Sequence, residues 1–505
     1  MSNIRRQSII SSIVIYIGFA VGLLNTYFFI RKGNFITFTE AEYGLITIFI
    51  AIATMMAAFA TMATPSYIFK FYPYYNEHLP SRKNDMITWA LLVSIIGFAL
   101  VMIAGLSLKH LVIKKFGTNS PQLVTYYYWI FPLGLGLTIY TVLEAYAWSL
   151  HKSVLTNFFR EVQWRLLTTV LIVLYITHII KDFSLFIKLF AFTYAGIAVS
   201  LFAYLVITGK IHFTFKVSKV SRRFLKKILM LCSFVYGGML IFTISKVFDT
   251  IVIASLLEDG AAKAGIFGLA TLITSIIVAP QRGIVSASVS HLSKAWKDKN
   301  MVLIQKIYQR SSINLLIFAS AIFLLIWMNF ADGIITFGVK PSYLDGVWVF
   351  FLLGIATVID MGTGVNAQII ATSTYWKFEL ISGVVLLLLM LPLSYFLAKE
   401  YGIIGPAIAT LISGSIYNCI RILFLWKRFK LFPFTIQSLY TIFLAAACYG
   451  ICHFAFVNIH GLAGMFLRSI VFILLYAASA VYMKLSPDIQ PVILTIKKKL
   501  GIKKD

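Results

Sequence analysis

The run LISGVVLLLLMLPLSYFLA, residues 380–398, carries no charged side chain between Glu379 and Lys399. A helix of about 20 mainly apolar residues crosses the hydrocarbon of a bilayer. The run is apolar on every face rather than along one stripe, which suits a helix surrounded by lipid and neighbouring helices better than one lying on a soluble core. Stretches of the same kind recur from end to end. They cover residues 8–30, 43–66, 86–108, 123–147, 166–180, 185–208, 228–254, 265–290, 312–330, 346–372, 379–398, 403–425, 435–457 and 462–483. The shortest is 166–180, between Trp164 and Lys181. The expected fold is an all-α integral membrane protein of 14 transmembrane helices.

Composition agrees. Hydrophobic residues make up 60% of the 505 and charged residues 12%, against about 25% charged in soluble domains. The net charge of +26 does not point to nucleic acid, because the basic residues are spread over the segments that flank the spans. With both termini placed in the cytoplasm, the connections on that side hold about three times as many Lys and Arg as the opposite side, as the positive-inside rule requires for a bacterial cytoplasmic (inner) membrane. Anionic lipid headgroups are the expected partners of that charge. Met1–Gln7 is short and basic and runs into a long first span, so no cleavable leader is expected. The four cysteines, Cys232, Cys419, Cys448 and Cys452, form no CxxC pair and read as packing thiols.

The most basic connection, Gly209 to Lys227, holds seven Lys or Arg. It divides the chain into an N-terminal lobe over 1–208 (helices 1–6), a cytoplasmic linker over 209–227 and a C-terminal lobe over 228–430 (helices 7–12). Helices 13–14 and a basic tail follow over 431–505. Arg5-Arg6 before the first helix and Arg222-Arg223 before the seventh, with Gly18 and Gly22 against Gly237 and Gly238, hint at a repeat. Two lobes about a midplane site are a common transporter plan. Prolines within spans, Pro65, Pro132, Pro280, Pro392 and Pro406, mark expected kinks.

Charges deep in spans are costly, about 2.5–3.5 kcal/mol on insertion scales, and are functional candidates by default. They are Glu144, Lys246, Asp249, Arg282 and Asp360. Lys246 and Asp249, three apart, are neighbours on one helix face, and a self-neutralising ion pair is the plain alternative to a role. Arg282, beside Pro280, either faces inward or snorkels to the interface. Glu144, among Tyr140, Tyr146 and Trp148, can be an interfacial carboxylate. Asp360 opens a polar run with Thr363, Asn366 and Gln368, interrupted by Gly362 and Gly364. Such a run breaks a helix at midplane or packs closely against a neighbour.

Residues 360–370, DMGTGVNAQII, with TSTYW at 372–376, YGIIGPAIAT at 401–410 and IYQRSSIN at 307–314, resemble the polysaccharide transporter, or lipid-linked oligosaccharide flippase, family. The stretch Arg5–Gly44 is similar too. The superfamily also holds multidrug extruders and a peptidoglycan-precursor flippase. The resemblance covers the whole chain in helix order, with most of its specificity in 360–410. It implies an inward V-shaped bundle of two pseudo-symmetric six-helix lobes plus a C-terminal helix pair. Its substrate would be an undecaprenyl-pyrophosphate-linked oligosaccharide, of the O-antigen, capsule or exopolysaccharide kind, moved to the periplasmic leaflet.

On that implication Lys246 and Arg282 hold the pyrophosphate, while Asp249, Asp360, Thr363, Asn366 and Glu144 serve a coupling ion or line the cavity. Proton or sodium is the expected coupling ion, no cofactor is expected, and a polysaccharide polymerase and glycosyltransferases are expected partners.

Enzyme readings lack their parts: the chain has no GxxxxGK[ST] phosphate loop, no HExxH and no outer connection long enough for a catalytic domain. A cation-coupled multidrug exporter of the same superfamily is the alternative reading, and a polymerase-like enzyme a minor third. Cations in the spans favour an anionic substrate, because most drug substrates are cationic and suit an acidic cavity.

Overall fold

The computed structural model describes residues 2–33 and 37–488. It is all-helical, and thirteen helices among the described residues are long and apolar enough to cross a membrane. The expected span 166–180 is not one of them. Its helix is built in pieces: Ser153–Asn157, a π-turn over Phe158–Gln163 and an α-helix over Trp164–Ile176. Arg160, Glu161 and Arg165 fall within it, which lowers its hydropathy below that of the other spans.

The chain forms two compact units, Met1–Gly265 and Ile266–Asp505. In the first, the longer helices are α1 (Ser2–Ile30), α2 (Glu40–Thr61), α3 (Thr64–His78), α4 (Met86–Ser107), α5 (Ile130–Ser149), α6 (Trp164–Ile176), α7 (Thr193–Ile207) and α8 (Lys219–Leu256). Helix α2 starts on a capping box. Thr39 Oγ1 accepts from Glu42 N, and Thr39 N donates to Glu42 Oε2, so two orphan donors of the first turn are satisfied. Helices α2, α3, α4 and α7 surround α5, whose Leu133, Tyr140, Val142 and Leu143 are fully buried.

The connection between α7 and α8 is an extended strap held at three points. Tyr146 donates from its hydroxyl to the Lys210 carbonyl (2.9 Å), Thr214 N donates to Thr88 Oγ1 (3.1 Å), and Ser218 N donates to Asp85 Oδ2 (2.8 Å). Ser218 caps α8 by accepting from Ser221 N.

Helix α9 (Gly260–Ile277) crosses the boundary between the units. The second holds α10 (Ala279–Lys297), α11 (Met301–Thr336), α12 (Val347–Gly362), α13 (Asn366–Thr372), α14 (Lys377–Tyr401), α15 (Ile404–Phe429), α16 (Ile436–Ala455) and α17 (Gly461–Tyr482). One core gathers Leu292, Ile304, Tyr308, Ile369 and Leu425. Another packs α16 and α17 on α11 through Met328, Cys448, Cys452, Phe472 and Tyr476.

Polar contacts tie α17 to α11 along its length. Arg468 pairs with Asp332, Asn329 Nδ2 donates to Ser469 Oγ (3.1 Å), and the Tyr476 and Ser320 hydroxyls meet at 3.0 Å. Beside this seam lies an apolar hollow of about 800 Å³, walled by Ile317, Phe318, Leu325, Phe472 and Tyr476 with Asn314 and Asp488 at its rim.

The prolines behave differently from the kinks expected of them. Pro65, Pro132, Pro280 and Pro406 lie in the first turns of α3, α5, α10 and α15, where the missing N–H costs no helix hydrogen bond. Pro392 alone of the five stands inside its helix, α14.

Candidate functional site

In the second unit the polar run from Asp360 converges on one spot. The helix stops at Gly362 and resumes at Asn366, as the two glycines lead one to expect. Gly364 adopts φ +70°, and a Cβ there would lie 2.7 Å from Ser311 Oγ and 2.9 Å from Ser312 N. Helix α11 closes on the break: the Ser312 hydroxyl donates to the Gly362 carbonyl, and Val365 N donates to Ser311 Oγ at 3.3 Å.

Around the break Asn418 of α15 completes a ring. Its Nδ2 donates to Asp360 Oδ1 (3.0 Å), while Asn366 Nδ2 donates to Asn418 Oδ1 (3.2 Å) and to Thr363 Oγ1 (3.0 Å). Thr363, Asn366 and Asn418 are buried and Asp360 is exposed at the edge. The arrangement offers several oxygens to a cation, with the Asp360 carboxylate at its accessible side.

One turn further along α15, Arg421 pairs with Glu379 of α14 and lies 3.9 Å above the Tyr417 ring; the Tyr417 hydroxyl donates to Glu379 Oε1 at 3.3 Å. Arg421 Nε, Glu379 Oε2 and the nearby Tyr308 hydroxyl are buried without hydrogen-bond partners. Sequence reasoning passed over Asn418 and Glu379 and counted Arg421 only among the cytoplasmic cations. The spacing Ser413, Tyr417, Asn418, Arg421 marks one polar face of α15 and was the available signal.

In the first unit Glu144 of α5 is buried and its Oε2 accepts from Arg160 Nη1 at 2.9 Å. Arg165, four residues after Glu161, reaches that carboxylate and the Glu161 carbonyl. Asn25 of α1 donates to the Arg165 carbonyl (2.8 Å) and accepts from Thr169 Oγ1 (2.7 Å). Helix α1 comes this near because Gly18 faces the Glu161 backbone, where a Cβ would lie 2.3 Å from its carbonyl oxygen. Glu144 of α5 thus meets a run of alternating charges, Arg160 and Glu161 on the π-turn and Arg165 just after it.

Lys246 and Asp249 share α8 but differ in setting: Asp249 is buried and Lys246 is exposed. Arg282 stands in the first turn of α10; its side chain lies outside what the structure describes.

No protein-family model and no curated protein matches the chain. Solved structures do. The lipid II flippase MurJ in an inward-closed conformation superposes with a TM-score of 0.69 at 18% identity, over 94% of this chain and 99% of that one. An inward-facing multidrug resistance MATE family transporter of the MOP superfamily gives 0.62 at 14% identity, over 78% and 91%. A MOP superfamily transporter from Pyrococcus furiosus, whose binding pocket has reversed polarity, gives 0.54 at 15% identity, over 84% and 95%. These neighbours are transporters. The chain is a multi-pass membrane protein with the fold shared by the lipid II flippase and the multidrug exporters.

Proposed function

We propose that this protein is a flippase that carries a lipid-linked oligosaccharide, held through its pyrophosphate, from the cytoplasmic to the periplasmic leaflet of a bacterial inner membrane by alternating access. The observation that carries the reading is the likeness to a lipid II flippase over 94% of this chain and 99% of that one, against 78% coverage in the first multidrug transporter.

The intramembrane residues suit an anionic headgroup. Burying an unpaired ion in hydrocarbon is prohibitive, so a path for pyrophosphate needs cations. Lys246 and Arg282 fill that role here. Asp249, Asp360, Thr363, Asn366 and Glu144 line the path or hold a coupling proton or sodium ion. A headgroup with two negative charges gains about 4.6 kcal/mol per 100 mV on moving outward across an inside-negative membrane, so the potential itself can drive turnover. Both termini are assigned to the cytoplasm, and glycosyltransferases and a polymerase act before and after the step.

The test is reconstitution. Proteoliposomes given a fluorescent undecaprenyl-pyrophosphate oligosaccharide should expose it on the opposite leaflet faster than protein-free vesicles, and faster still under an imposed potential. No acceleration, together with ion-coupled efflux of a cationic dye, would establish the drug-exporter reading instead. The buried Asp249 of α8 is the feature that favours that alternative.

A further inference from the structure

Arg160 and Glu144 are unequal partners. The Glu144 side chain is 8% exposed and the Arg160 side chain 50%. The guanidinium spends one N–H on Glu144 Oε2, and its other donors have no partner among the described residues. Guanidinium forks bind phosphate oxygens in pairs. Beneath it, Glu144 Oε1 is buried with no hydrogen bond, so this single pair balances the carboxylate. Arg160 sits on a π-turn, a geometry that concentrates at functional sites, and Glu144 meets it from α5.

Among the described residues, the groups around Arg160 are committed elsewhere. The Tyr140 hydroxyl is committed to the Thr156 carbonyl at 2.7 Å and Trp148 Nε1 to Thr156 Oγ1 at 2.7 Å. Arg165 is held by Glu161, and Glu161 brings a like charge. Tyr194 of α7, the remaining titratable neighbour, stacks on Trp164 at 5.1 Å. Removing one partner of a buried pair leaves an uncompensated charge. Arg160 can therefore turn outward to a ligand only if Glu144 is neutralised as it leaves, and a proton on the carboxylate does this.

We propose that Glu144 and Arg160 form a proton-gated clasp for a phosphate oxyanion, in which the anion takes the guanidinium as Glu144 takes one proton. The clasp deepens the flippase reading and rests on it for the identity of the anion, the pyrophosphate of the carried lipid. A soluble phosphate has the same chemistry, so the two sources need separate arms.

The experiment uses the full chain in zwitterionic nanodiscs. Calorimetric titration with inorganic pyrophosphate, and separately with undecaprenyl pyrophosphate doped into the discs, is run in two buffers of different ionisation enthalpy. Up to one proton should be taken up per anion bound, and affinity should rise as pH falls, approaching about tenfold per unit where the linkage is complete. Glu144→Gln, a neutral isostere, should bind with no proton uptake and a flat pH profile; Arg160→Gln should lose at least tenfold in affinity.

Uptake with either anion supports the clasp, and uptake with free pyrophosphate alone supports it while counting against the lipid-linked substrate. Binding of both anions without proton uptake in the wild type, or unchanged affinity in a folded Arg160→Gln protein, overturns the clasp and leaves the flippase reading standing. No binding of either anion overturns both.

Discussion

Asp85, wholly buried at the start of α4, accepts a 2.7 Å hydrogen bond from the Ser221 hydroxyl in the first turn of α8. The same oxygen accepts from Ser218 N. A carboxylate at a helix N-terminus is favoured by the partial positive charge there. Asp85→Ala strands two donors, the buried Ser221 hydroxyl and the part-buried Ser218 N–H. The variant should lose roughly 1–3 kcal/mol per stranded donor, seen as a lower unfolding midpoint of the purified protein in detergent, with Asp85→Asn losing less.

The Ser221 hydroxyl continues to Tyr75 (2.7 Å), which receives the Tyr67 hydroxyl at 2.9 Å. Both tyrosines lie on α3, outside the candidate spans, and burial pushes both phenols above their ordinary value of 10.0. The neutral hydroxyls are therefore favoured by the fold. Their contribution is intact below pH about 10, where the unfolded chain also keeps its phenols neutral, and is lost as pH climbs from there toward the raised folded values. Unfolding midpoints should fall steeply above pH 10, and Tyr67→Phe/Tyr75→Phe should show a shallower alkaline fall from a lower starting point.

Gly364 has two reasons to be glycine, its left-handed backbone and the 2.7 Å approach to Ser311 Oγ. Gly364→Ala should lose more than about 1 kcal/mol and displace the Asp360–Asn418 contact. Reduced flipping with normal membrane insertion is the expected outcome.

Glu379 and Arg421 offer a test by subtraction. Arg421→Ala alone should lose about 3–5 kcal/mol because it leaves a carboxylate buried without its cation, whereas Glu379→Leu/Arg421→Met should recover most of that loss. A thermal-shift series over the two single variants and the double variant measures the difference. A loss in the double variant equal to the sum of the two single losses would show that the charges are not coupled.

Much of this was readable in advance, and for identifiable reasons. Span length is fixed by bilayer thickness, so Leu380–Ala398 announced itself through composition alone. The break near Gly362 was legible because two glycines and a polar run weaken one turn. Asn418 was not, since it joins Asp360 from a helix more than 50 positions along the chain, and sequence order says nothing about which helices adjoin. The spacing of Lys246 and Asp249 put both on one helix face, but it could not tell that one is exposed and the other buried. Glu144 was singled out for its depth, but Arg160 looked like an ordinary flanking cation until the π-turn brought it over α5.

The tether at Asp85 gives α8 the mechanics of a lever. With Ser218 pinned, sliding along the axis would tear two hydrogen bonds, whereas tilting about that end keeps both. Asp249 lies 31 residues beyond the pin, about 46 Å at helical rise, so a swing of about 5° carries it through roughly 4 Å. A small rotation at the fulcrum is thereby magnified into an ångström-scale stroke at the buried carboxylate.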